Sequence, residues 1–347
     1  MTMNSMQRVL TSLSHKEPDR VPLFLLTSMQ GAKELKMSLK DYYASAERLA
    51  EAQIKMKIKY RNDCYYSFFY APVETEAFGA DVIYKEDGPV NSGNPFIKTA
   101  HDIENLVIPE IEDAPSLKKV ITATRLLKQE AGDQTPIIGV VMSPFSLPVM
   151  QMGFERYLDL IHEEPVLFNK LMQKNEAFCV KWANAQLEAG ATAICYFDPV
   201  SSPTIIPPEL YRKTGFVVAK NTISQIKGAT ATHLASGRCL DIADDLCQTG
   251  TYVVGTAVEE DLETLKSTFQ NKLTILGNLN GIEMCRWTPE EAEIHVKTAI
   301  QKAGKGGGFI LSDNHGEIPY QVSEKTLMAI SDAVQKWGNY PLMERND

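Results

Sequence analysis

Along most of the chain, short apolar runs alternate with longer stretches in which apolar positions recur every three or four residues. The first pattern reads as strands buried on both faces, the second as amphipathic helices. Residues 4–14 predict a helix, and Asp19-Arg20-Val21-Pro22-Leu23-Phe24-Leu25-Leu26 predicts a turn followed by a first strand. Leu39, Tyr43, Ala46, Ala50 and Ile54 share one helical face within 38–60. A second strand falls within 64–70, and after a helix over 117–131 the β-branched run 136–142 makes a third, ending at Ser143-Pro144-Phe145. A long helix over 165–188, with Pro165 in its first turn and Gly190 just past its end, leads into a fourth strand that stops at Asp198. The fifth strand is Ala229-Thr230-Ala231-Thr232-His233, the sixth Tyr252-Val253-Val254-Gly255 and the seventh Leu273-Thr274-Ile275-Leu276-Gly277-Asn278. Thr288-Pro289-Glu290-Glu291 forms a capping box that opens the last connecting helix, and the eighth strand runs from Gly307 into Ser312-Asp313-Asn314-His315-Gly316.

Eight strands separated by helices predict an α/β chain forming one (β/α)8 TIM barrel domain over residues 1–347. Residues 80–110 stand outside the repeat. There Gly79, Gly88, Pro89, Gly93 and Pro95 break the pattern into short extended pieces, read as a small inserted lobe in the N-terminal half, over the barrel mouth. A doubly wound open sheet is the competing architecture. No GxGxxG or GxxxxGK[ST] follows a strand, and Gly304-Lys305-Gly306-Gly307-Gly308 precedes one, so it reads as a tight turn and not as a phosphate loop.

The net charge of −9, with scattered Lys and Arg, argues against nucleic-acid binding. No run approaches the length of a membrane span and residues 1–14 lack the apolar core of a signal peptide, which predicts a cytoplasmic protein. The six cysteines form no CxxC pair and read as reduced core residues.

Candidate chemistry collects where the strands end. Barrels of this class place their active groups at the carboxyl ends of strands, and Asp198, His233, Asp313 and His315, with Tyr196 close by, all fall there. An Asp before Pro is often only a turn residue, and a lone His on an apolar strand is often a core residue; the convergence of several such groups on one mouth is what marks them. Glu74 and Glu76 lie near the end of the second strand region and could reach the mouth, although an acidic pair in a loop more often reads as solvated. The aromatic run Cys64-Tyr65-Tyr66-Ser67-Phe68-Phe69-Tyr70 suits either a core or a substrate pocket.

Short motifs in fixed order carry a family resemblance: Arg8-Val9-Leu10 with Asp19-Arg20-Val21-Pro22, Glu76-Ala77-Phe78-Gly79-Ala80, Ser143-Pro144-Phe145-Ser146, Glu188-Ala189-Gly190-Ala191 leading to Asp198-Pro199, Leu276-Gly277-Asn278-Leu279, and His315-Gly316-Glu317-Ile318-Pro319. Nearly end to end, the chain resembles the uroporphyrinogen decarboxylase superfamily, including its corrinoid-dependent methyltransferase branch. True decarboxylases of that family carry two arginines after the proline matching Pro22, to hold a polycarboxylate; here 25–33 contains none. The thiol-methylating branch uses a His-x-Cys after strand five and a Cys after strand eight. This chain keeps His233 but has Ala235, and lacks the second Cys. The resemblance therefore implies transfer of a methyl group from a small methylated compound, with an aromatic methyl ether favoured, to cob(I)alamin carried by a separate corrinoid protein. Asp198, His233, Asp313, His315 and Tyr196 are then the expected acid or ligand groups, with His233 and His315 as ligands if zinc is bound. A homodimer is compatible with this reading. A decarboxylase-like activity, or a non-catalytic barrel that docks a partner, stays open.

Overall fold

The computed structural model describes residues 2–342. Its main sheet is wholly parallel and has seven strands: β1 (Tyr65–Tyr66), β4 (Ile137–Met142), β5 (Ala193–Phe197), β6 (Ala229–His233), β7 (Val253–Gly255), β8 (Thr274–Leu279) and β9 (Phe309–Asp313), adjacent in that order. The two missing numbers, β2 (Val82–Ile83) and β3 (Asn91–Ser92), pair antiparallel as a separate hairpin within the 80–110 stretch. The sheet is curled. Phe24, Tyr66, Ile138, Val253, Leu276 and Ile310, spread over its whole width, pack into one internal cluster.

The first strand, expected over residues 21–26, does not form as a regular ladder, and the seven-stranded sheet is not closed by it. Residues 21–26 lie beside β9 through a single parallel bridge, Leu23 to Leu311, with the Phe24 N–H donating to Leu311 O (2.8 Å) and the Leu311 N–H to Pro22 O (2.9 Å). On the other side one backbone bond, from the Asp63 N–H to Leu23 O (2.8 Å), is supplemented by side chains: the Leu23 N–H donates to Asp63 Oδ2 (2.9 Å) and the Leu25 N–H to Asn62 Oδ1 (2.8 Å). Pairing of this kind supplies the hydrogen bonds without strand geometry, which is why a buried apolar run reads as a strand and yet is irregular.

The amino-terminal end of the sheet is tied by charge. Asp63 accepts from Arg8 Nη1 (2.6 Å) and Arg20 Nη1 (2.7 Å), and Asp19 accepts from Arg8 Nε (2.7 Å), all mostly buried. The motifs at residues 8–10 and 19–22 are thus the floor of the fold. Helices cover the outer face, among them Pro165–Ala189 against β4 and Pro289–Ala303 against β8 and β9. The capping box at Thr288 forms, with the Glu291 N–H donating to Thr288 Oγ1 and the Thr288 N–H to Glu291 Oε2. The hairpin lobe reaches the opposite end of the sheet, where Gln321 Nε2 donates to Asp87 O (2.7 Å).

Candidate functional site

A cavity of about 420 Å³ runs inside the curl of the sheet and opens among the loops after the strands. Its wall is mainly apolar, with Tyr66, Phe68, Phe197, Met29 and Met142 near the mouth. The polar side chains there include His233, His315, Ser312, Glu317 and Glu74. Among the described residues no Arg or Lys lines it.

His233 ends β6 with 4% exposure. Its Nδ1 accepts from the Ala235 N–H (3.0 Å), which places the proton of the neutral ring on Nε2. The ring lies across Gly255 of β7, where any Cβ would come within 2.6 Å of Cδ2, so a glycine on the neighbouring strand makes room for the imidazole. Burial, with a smaller contribution from His315, pulls its pKa down to about 4. Near neutral pH it is an uncharged donor. His315 sits in the loop after β9, half-buried, with its pKa also lowered by burial, and its Nδ1 is buried without a partner.

Asp313, 1% exposed, fixes that loop: Oδ2 accepts from the His315 and Gly316 N–H groups (3.0 Å each), while Oδ1 has no partner. Burial raises its pKa to about 6. The same loop brings in Glu317, whose Oε1 accepts from Ser28 Oγ (2.5 Å); burial, reinforced by the nearby Asp313, raises it to about 7. Glu74 faces the cavity from the opposite wall, with Oε1 accepting from the Met142 N–H (2.9 Å), and burial raises it to about 8 against the opposing pull of that amide and the Trp182 indole. Of the two alternatives for this acidic pair, Glu74 takes the inward one and not the solvated one: the short helix Val73–Ala77 turns it inward, 2% exposed, whereas Glu76 accepts from Tyr70 Oη (2.6 Å). Periodicity carries no sign of that turn. For Glu317 a signal existed in the sequence, since it belongs to the motif that supplies His315.

Two expected residues stand elsewhere. Asp198 lies behind the cavity wall, where Oδ1 accepts from Ser143 Oγ (2.5 Å) and Ser146 Oγ (2.7 Å), and it thereby holds the turn after β4. Burial raises its pKa, opposed by those hydroxyls and Ser201. Tyr196 points to the helix layer, toward Cys179 and Thr222, because successive residues of a strand face opposite sides and its neighbours Cys195 and Phe197 face the cavity. The structure thus gathers His233, His315 and the Asp313 loop, and leaves Asp198 and Tyr196 outside the cavity.

Zinc fits this donor set poorly. His233 has one free nitrogen and His315 offers a second, but among the described residues no three His, Cys, Asp or Glu side chains converge on one point. Zinc sites in proteins draw three or four ligands from the chain.

A parallel, curled α/β sheet with its polar groups at the carboxyl ends of the strands defines the class as TIM-barrel-like. The chain belongs to the uroporphyrinogen decarboxylase (URO-D) family, whose model matches residues 4–337. It is 23% identical to a uroporphyrinogen decarboxylase of Methylococcus capsulatus, over 94% of this chain and 97% of that one. It is also 23% identical to one from Coxiella burnetii, over 95% and 94%. Among solved structures it is similar to a methyltransferase from Methanosarcina mazei, with a TM-score of 0.86 and 17% identity over 96% of this chain and 99% of the other. A B12-independent methionine synthase from Shewanella matches with a TM-score of 0.53 and 12% identity over 84% and 88%. Among the described residues no helix is long and apolar enough to cross a membrane.

Proposed function

We propose that this protein is a methyltransferase that takes a methyl group from a small methylated compound, with an aromatic methyl ether favoured, and passes it to cob(I)alamin carried by a separate corrinoid protein. One observation carries the reading: an apolar cavity with no Arg or Lys lining it among the described residues is shared by a carboxyl whose pKa is raised to about 7 and by two imidazoles whose pKa values are lowered by burial. An ether methyl is a poor electrophile because its oxygen leaves as a strong base, and a proton delivered as the bond breaks removes that obstacle. Glu317 is the proposed acid, held at Oε1 by Ser28. His233 donates from Nε2 to steady the same oxygen, and Asp313 keeps the His315 and Gly316 amides, and so the loop, in place. The acceptor protein docks at the carboxyl-terminal mouth, where the methyl carbon is within reach. Zinc has no part in this scheme.

The name shared by the curated relatives suggests decarboxylation instead. A polycarboxylate in this cavity would face Glu74 and Glu317 with no guanidinium or ammonium to neutralise it, and burial of unpaired charge is costly. A methyl-transfer assay with reduced cobalamin across methoxylated aromatics, methylamines and methylthiols, run beside a uroporphyrinogen decarboxylation assay, tests the choice. Methyl transfer from an ether supports the reading; decarboxylation without methyl transfer overturns it.

A further inference from the structure

Beneath the polar mouth the lumen is not filled by the sheet's own side chains. The interior of a TIM barrel is ordinarily a packed core of bulky branched residues. Here β5 contributes Ala193 and Cys195 and β6 contributes Ala229 and Ala231, and the register sets Cys195 beside Ala231. These four keep accessible surface, Ala193 and Ala229 at the strand starts and Cys195 and Ala231 in mid-strand, while the alternate residues Ile194, Tyr196, Thr230 and Thr232 are buried. Ala193, Cys195 and Ala231 pack at the edge of the cluster that holds the larger Phe24, Tyr66, Leu276 and Ile310, and their small side chains leave space beside it. The cavity continues past these strands to the Ser5–Leu13 helix and the strand starts, where Leu10 and Tyr252, 52% and 62% exposed, mark its lower end.

We infer that this lumen binds the uncharged, apolar body of the methylated substrate, an elongated aryl or aryl-alkyl group lying along the axis of the curl. The inference rests on the methyl-transfer reading for the orientation of that substrate. In an in-line displacement the acceptor's electron pair approaches the methyl carbon from the side opposite the breaking carbon–oxygen bond. With the acceptor docked at the mouth, as proposed above, the oxygen and everything attached to it point inward, into the lumen. The bond pair stays on the oxygen, which takes the Glu317 proton and leaves as a phenol, while the methyl group goes to the acceptor. Because no Arg or Lys among the described residues lines the lumen, a charge at the inner end of the substrate would be desolvated without a partner.

Calorimetric binding of anisole and its para-ethyl, para-butyl and para-hexyl derivatives to the full chain, with no acceptor present, tests this. Dissociation constants should fall about fourfold per added methylene until the lumen is full, and para-methoxybenzoate should bind about tenfold or more weakly than para-ethylanisole. Ala231→Leu and Cys195→Met should each weaken the hexyl compound far more than anisole. Affinity that does not change with chain length, equal binding of the carboxylate, or folded variants that bind the whole series like the parent would each overturn the inference. If neither variant folds, the series on the parent protein decides alone. The two readings fail separately: chain-length-dependent binding without demethylation once acceptor is added keeps the lumen site and overturns methyl transfer, whereas demethylation with length-independent binding does the reverse.

Discussion

At the amino-terminal end of the sheet, Asp63 takes hydrogen bonds from Arg8, Arg20, Ser5 and the Leu23 N–H, and Asp19 takes two more from Arg8. At the carboxyl-terminal end, Asp313 Oδ1 and His315 Nδ1 are buried with nothing to bond, and Glu317 and Glu74 hold raised pKa values. Both ends bury ionisable groups, but one satisfies them within the chain and the other leaves them short. A charge completely paired contributes to holding the fold; a polar group left without a partner is a cost that a ligand can relieve. The contrast assigns stability to the floor and chemistry to the mouth.

The largest effect that separates the two ends should come from His233→Ala and His315→Ala. Each is expected to lower methyl transfer by about 10²–10⁴-fold, with the thermal midpoint close to that of the parent protein. Parent-like rates in both folded variants would refute the proposed mouth, and unfolding of both would make the histidines core residues.

Asp63→Ala should do the reverse. It leaves the buried Arg20 guanidinium without its carboxylate and takes one of two carboxylates from Arg8, and should cost about 3–5 kcal/mol in denaturant unfolding, while activity per folded molecule is retained. A loss of rate without a loss of stability would dissolve the distinction between floor and mouth.

The pH profile sharpens the comparison further. With the Glu317 acid form required and its pKa raised to about 7, kcat/KM should fall about tenfold per pH unit above that value. Glu317→Gln should be slow and should lose that limb. Linkage runs in a definite direction: the raised pKa contributes stability that is complete below the ordinary carboxylate range and is lost as pH rises through about 7, whereas the lowered pKa of His233 contributes stability that is complete above the ordinary imidazole range and is lost as pH falls through about 4. Melts of the parent and the two variants across that window should separate the contributions, each variant flattening its own side.

The smallest effect concerns Asp198, a residue near the mouth that is paired in the manner of the floor. Ser146→Ala removes one of its donors and should cost about 1–2 kcal/mol with little change in rate. A large rate loss at unchanged stability would return Asp198 to the chemistry.

Much of this architecture is legible in the residues themselves. Strand and helix order follow from apolar periodicity, and His233 and the Asp313-Asn314-His315 turn are visible as polar ends of apolar strands, because local patterning and strand termination are local properties. The stretch 21–26 is read correctly as buried, but its pairing depends on side chains of Asn62 and Asp63 that lie far away in sequence. Tyr196 and Cys195 are neighbours in one apolar run, and which of them faces the lumen is a matter of strand phase that a run apolar on both faces does not encode. Glu74 reads as a surface acid until the short helix Val73–Ala77 folds it against Met142.

What the sequence determined by itself, then, is the order of elements, the absence of arginine from 25–33, and the identity of the polar groups at the strand ends. Tertiary structure alone decided that these groups share one cavity, that Asp198 is paired behind its wall, and that the lumen beneath is hollow. Those outcomes depend on register between strands and on which side chains meet across the curl, and distances between residues remote in sequence are set only when the sheet curls around them.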